Sequence, residues 1–195
     1  MLSLRDILVE RSQVKGCRVT GKDVGLDRQN SHTLVGHRYT MNLRFPADPD
    51  LVLRFIGVFS RLEYCLKVTR FRQGGDGEAK ADWNAFVEAA EARFNPEESP
   101  ELAKAYGYLT GNPPRSLEVK NGNVFRVDYV KRGTARADEV MWIVKQIRNN
   151  LFHGAKFAHD LGSSPQRENK LLMSATILLS HLISVVPEVE DAYQQ

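Results

Sequence analysis

The sequence predicts a mainly α-helical protein. It reads as a bundle of roughly four to five helices with a small β-hairpin insertion and an irregular N-terminal segment. Three features predict this. Apolar residues recur at helical spacing over residues 51–71 and again over 137–153. Turn-forming clusters at Gly74–Gly77, at Pro96, at Gly111-Asn112-Pro113-Pro114 and at Pro187 divide the chain into helix-sized pieces. Asn121-Gly122 between two alternating runs is a strong short-range hairpin signal. With 195 residues and 42% hydrophobic content, the chain can bury one substantial core. Residues 1–49 are expected to form an N-terminal extension, partly strand or irregular, and residues 50–195 the helical bundle.

The extension is rich in Arg, Gly and small polar residues. A short helix is expected over Leu4–Arg11, and strand-like pieces over Arg18–Thr20 and Tyr39–Phe45. Asp48 or Asp50 then offers an N-cap for the first long helix. Its stripe is Leu51, Phe55, Val58, Phe59, Leu62, Cys65, Leu66 and Thr69. A second helix starts near Asp82, burying Trp83, Phe86, Val87, Ala90 and Phe94, and stops at Pro96. Ser99-Pro100-Glu101 starts a short helix through Leu109. The hairpin is placed at about 116–130, from Ser116–Lys120 through the turn to Asn123–Val130, as an insertion on the bundle. The next helix runs from about Ala137 to His153, with Asp138 and Glu139 near its start to complement the dipole. The last starts near Ser164-Pro165 and ends at Pro187.

The net charge of +3 is mildly basic and permits a polyanionic partner without demanding one. Cys17 and Cys65 lack metal or redox spacing and suit a reducing compartment. The N-terminus carries charges where a signal peptide needs an apolar run. The most hydrophobic stretch, Leu171–Val186, is short for a bilayer and interrupted by polar residues. A cytoplasmic protein with no membrane partner is therefore expected. No P-loop, dinucleotide fingerprint, zinc pattern or serine-nucleophile motif occurs, so neither a metal nor an organic cofactor is expected. His159 and Asp160 after His153 do not make a specific ligand set.

The chemistry concentrates in Arg148-Asn149-Asn150-Leu151-Phe152-His153-Gly154. Asn149 and His153 are four apart and so neighbours on one helix face, and the long Arg148 stem reaches the same patch. Gly154 suits a helix C-terminus, where the macrodipole favours imidazolium. A histidine titrating near neutrality moves protons, and a guanidinium fork holds two phosphate oxygens. The alternative is structural: an arginine paired with a carboxylate and a histidine bonded to a carbonyl. Basic–aromatic runs at Arg70–Arg72 and Phe125–Arg132 also suit nucleic acid, although such runs more often end amphipathic elements.

Arg148, the polar Asn149 after it and His153, closing a helix with apolar Val140, Ile143, Val144, Ile147 and Leu151, resemble the HEPN family of small helical domains. The order of helices from about Asp50 onward resembles it too. The resemblance implies a metal-independent endoribonuclease of the toxin–antitoxin or phage-defence kind. In such enzymes the RNA 2′-hydroxyl attacks the adjacent phosphorus, leaving a cyclic phosphate and a free 5′-hydroxyl. His153 would be the acid–base residue, Arg148 would stabilise the phosphorane, and Asn149 would orient the histidine or the phosphate. A homodimer with one composite site is implied, along with an antitoxin or other regulatory protein partner. Glu63 matches the place of a supporting acid in some relatives, while its spacing to Lys67 also allows a surface ion pair. The alternative function is a non-catalytic module of the same shape that binds nucleic acid, nucleotide or a protein.

Overall fold

A computed structural model describes residues 47–131, 135–152 and 164–195, and the side chains of Val124 and Arg126 fall outside the description. In chain order these residues form α1 (Pro49–Val68), α2 (Trp83–Glu91), α3 (Pro100–Gly111), β1 (Ser116–Lys120), β2 (Asn123–Val127), α4 (Arg136–Phe152), α5 (Pro165–Ser184) and α6 (Pro187–Gln194). The expected class holds: a helical bundle with one small hairpin. Of the expected extension, only residues 47–49 are described, and Pro49 already belongs to α1.

Helices α1, α2, α3 and α5 begin where a short polar side chain satisfies the first amides. Asp48 accepts from Asp50 N at 2.9 Å and Asp82 from Ala85 N at 3.0 Å. Ser99 Oγ accepts from Leu102 N at 3.1 Å and Ser164 Oγ from Arg167 N at 3.2 Å. Helix α4 is capped from outside instead. The Glu91 carboxylate at the end of α2 accepts from Arg136 N at 2.8 Å and from Ala137 N at 2.6 Å. A carboxylate on orphan amides at a positive dipole end serves two donors at once.

The core is built from the stripes read in the sequence. Phe55, Leu62, Cys65 and Leu66 of α1 are fully buried, as are Val140, Ile143 and Val144 of α4 and Ala175, Leu178, Leu179 and Leu182 of α5. Helix α5 packs against α1, α3 and α4, which makes it the central strut. Among the described residues, no single helix is long and apolar enough to cross a membrane.

Several boundaries differ from expectation, each for a local reason. Helix α1 stops at Val68, because Thr69 is extended and its hydroxyl donates back to the Cys65 carbonyl at 2.8 Å. Phe71 then buries its ring separately, while Gln73 N–Lys80 O and Asp82 N–Phe71 O bonds of 2.8 and 2.6 Å close the glycine-rich loop. Pro187 opens a sixth helix instead of merely ending α5. Proline at a first helical position loses no intrahelical bond, and the chain bends by 109° there. The hairpin turn has positive φ at Asn121 (52°) and Gly122 (74°), which fits the right-handed strand twist. Strand β2 ends at Val127, before the expected Val130, because Tyr129 turns inward toward α4.

Candidate functional site

Helix α4 divides its residues between two duties. Ile147 and Asn150 are buried, whereas Asn149 is exposed and Arg148 lies partly open. The two adjacent asparagines thus differ. Asn150 donates to the Arg115 carbonyl at 2.9 Å and accepts from Gln146 at 2.8 Å, anchoring the chain that enters the hairpin. Asn149 faces solvent and accepts one bond from Arg148 Nη1 at 3.3 Å.

The Arg148 guanidinium is positioned by aromatic faces. Its Cζ lies 4.8 Å from the Phe152 ring centroid and 6.0 Å from that of Phe59 on α1. Among the described residues, no carboxylate comes within ion-pair distance of it. The structural alternative of an Arg148–carboxylate pair is therefore not found among them. A cation held on aromatic faces is oriented yet keeps its N–H groups for a ligand. His153 and Gly154 lie outside the described residues, and α4 is described to Phe152.

Glu63 sits one turn beyond Phe59 on α1. Its carboxylate pairs with Lys67 Nζ at 2.7 Å, the surface pair that the spacing allows, and not with Arg148. Such a partly exposed pair contributes about 0.3–0.5 kcal/mol. The Arg70–Arg72 run is likewise structural at its centre: Phe71 is buried, and Arg70 pairs with Glu188 at 3.1 Å. Phe125 is half exposed on the hairpin, and Tyr129 leaves that run to reach Glu139.

Lys145 was missed as a site candidate in the sequence. It stands three residues before Arg148 on α4, with its Nζ 5.0 Å from the Trp83 ring centroid. Trp83 in turn stacks on Phe59, with centroids 5.2 Å apart and planes at 25°. The spacing of Lys145, Arg148 and Phe152 along one helix face was available as a signal. The arrival of Phe59 and Trp83 from two other helices had none. Burial lowers the Lys145 pKa below its ordinary value, partly offset by the Asp138 carboxylate.

Among the described residues, no group of three His, Cys, Asp or Glu side chains gathers as a metal-ligand set. A groove between α1 and α6, lined by Gly57, Arg61, Tyr64, Glu188 and Asp191, contains no motif residue. The chain matches no protein-family model, no curated protein and no solved structure.

Proposed function

We propose that this protein is a metal-independent endoribonuclease of the HEPN kind, acting as a homodimer in a toxin or phage-defence role. The observation that carries the reading is the state of Arg148: partly open at the end of α4, oriented by Phe59 and Phe152, and bonded only to Asn149 among the described residues. A guanidinium oriented on aromatic faces, with no carboxylate partner among the described residues, supports the reading of an oxyanion ligand.

In the proposed reaction, His153 takes the proton from the 2′-hydroxyl, and the new O–P bond forms as the bond to the 5′-oxygen breaks. The second histidine of the dimer protonates that leaving oxygen. Arg148 faces the charge that builds on the non-bridging oxygens, which is worth about 10²–10³-fold in rate for one well-placed donor. Asn149 fixes the guanidinium and contacts the phosphate.

The Lys145–Trp83 pair lies outside the motif and favours a second reading, a nucleic-acid-binding module without catalysis. Purified protein incubated with total RNA in EDTA separates the two. Cleavage leaving cyclic-phosphate ends, absent in His153→Ala and Arg148→Ala, establishes the ribonuclease. Binding without cleavage by the wild type establishes the module.

A further inference from the structure

The side chains around Arg148 form a continuous row: Lys145, Trp83, Phe59, Arg148 and Phe152, with successive contacts of 5.0, 5.2, 6.0 and 4.8 Å. Three helices contribute to it. The chemical order is cation, aromatic, aromatic, cation, aromatic. Phe59 is buried and Trp83 is partly covered, so these two rings act as a floor. Phe152 is different: it is 56% exposed, although Arg148 covers part of its ring. A large aromatic left this open beside a guanidinium has no core duty to explain it.

The two cations reinforce the point. Lys145 and Arg148 are three apart on one side of α4, one over Trp83 and the other over Phe59 and Phe152. Among the described residues, neither has a carboxylate within ion-pair distance; Asp138 acts on Lys145 only from farther away. A phosphate beside them would offset the desolvation of the Lys145 ammonium with an opposite charge. Because the aromatic rings already hold both cations, little side-chain entropy remains to be lost on binding.

We propose that this row is the seat for one unpaired nucleotide of an RNA strand, its base stacked on Phe152 and its flanking phosphates on Arg148 and Lys145. The proposal rests on the nucleic-acid reading above and specifies its substrate as single-stranded. A base in an A-form duplex has both faces covered by its neighbours and cannot lie on Phe152. Unstacking also frees the backbone to align the 2′-oxygen with the leaving 5′-oxygen, which the stacked helix holds out of line.

The test uses a short fluorescent 2′-O-methyl oligoribonucleotide, which cannot be cut by its own 2′-oxygen, as a single strand and as its blunt duplex. Binding is read by anisotropy. The single strand should bind at least about tenfold more tightly than the duplex. Phe152→Ala should weaken single-strand binding by about 5–150-fold, the range of one lost base stack, while Phe152→Trp retains it. Lys145→Gln should lower the slope of log affinity against log salt by roughly 0.7, one phosphate contact on a single strand. Equal binding of strand and duplex overturns the proposal, as does unchanged binding by a folded Phe152→Ala protein. Sedimentation of the same variant provides a further check. If it turns a dimer into a monomer, Phe152 is an interface residue and the proposal falls. Strand-selective binding by a wild type that cuts no RNA overturns the ribonuclease alone, whereas cutting with equal binding to both probes overturns the seat alone.

Discussion

Glu139 is the residue on which most of the polar interior turns. It is only 7% exposed, and it accepts from Tyr106 Oη at 3.2 Å and from Tyr129 Oη at 3.4 Å, with Lys131 Nζ at 3.4 Å. One carboxylate thereby joins α3, α4 and the segment leaving the hairpin. Its removal would take the partner of the part-buried Tyr106 phenol, at about 1–3 kcal/mol for a polar group left unsatisfied. Burial, with the Glu139 charge beside it, pushes the Tyr106 hydroxyl up to about 12 from its ordinary 10.0. The folded chain keeps that proton where the unfolded chain has lost it. The resulting contribution to stability is complete below pH 10 and fades as pH rises toward 12. Thermal melts followed by circular dichroism should show the midpoint falling across that window, and Tyr106→Phe should flatten this part of the fall. An unchanged slope in the variant would remove Tyr106 as its source.

Lys145 carries the opposite sign at the same scale. Its lowered pKa means that the folded chain holds the ammonium less readily than the unfolded chain does, so its charge costs stability at neutral pH. That cost is relieved as pH rises through the window below 10.5. Lys145→Met should therefore raise the melting temperature while weakening oligoribonucleotide binding. A melting temperature that falls instead would mean that the lysine stem over Trp83 matters more than the charge.

At the scale of elements, α4 is held at both ends by groups from elsewhere in the chain. Glu91 caps its first amides, and Asn150 ties its last turn to the Arg115 carbonyl. The cap is far from Arg148 along the helix, so the two can be separated by mutation. Glu91→Ala should cost about 1–2 kcal/mol, the range for a lost N-cap. For a chain of this size that corresponds to a melting shift of about 2–8 °C. Below the melting range, the proposed RNA cleavage should be unaffected. Equal loss of activity at low temperature would show instead that the cap sets the geometry of the motif. Helix α6 was hidden in the sequence because Pro187 ends one helix and starts another, and proline alone does not distinguish these uses.

At the scale of the whole molecule, the proposed ribonuclease has one motif histidine per chain, where in-line cleavage uses two proton-transfer groups. A composite site between two copies would answer this, and a twofold dimer is the commonest oligomer. Cleavage per chain should then fall on dilution, in step with loss of dimer in sedimentation. Activity that stays constant per chain while the protein dissociates to monomers would rule out the composite site. The net charge of +3 is too small to concentrate RNA on the surface at large, so affinity should depend on local cations such as Arg148 and Lys145.

The sequence by itself determined the helical class, the helix starts near Asp82, Ser99 and Ser164, the hairpin turn at Asn121-Gly122 and the buried stripes of α1, α4 and α5, while leaving the first cap between Asp48 and Asp50. All of these follow from contacts within a few residues, where spacing and side-chain chemistry decide the outcome. It also pointed to Arg148 and Asn149 as candidate site residues, because a guanidinium fork and a neighbouring amide suit phosphate chemistry. Only the tertiary structure decided that Asn150 and Glu139 serve the interior, and that Phe59 and Trp83 arrive beneath Arg148 and Lys145. Those outcomes depend on which helices meet and at what height. The period of one helix says which face is apolar, but not whose aromatic ring will lie against the neighbouring cation.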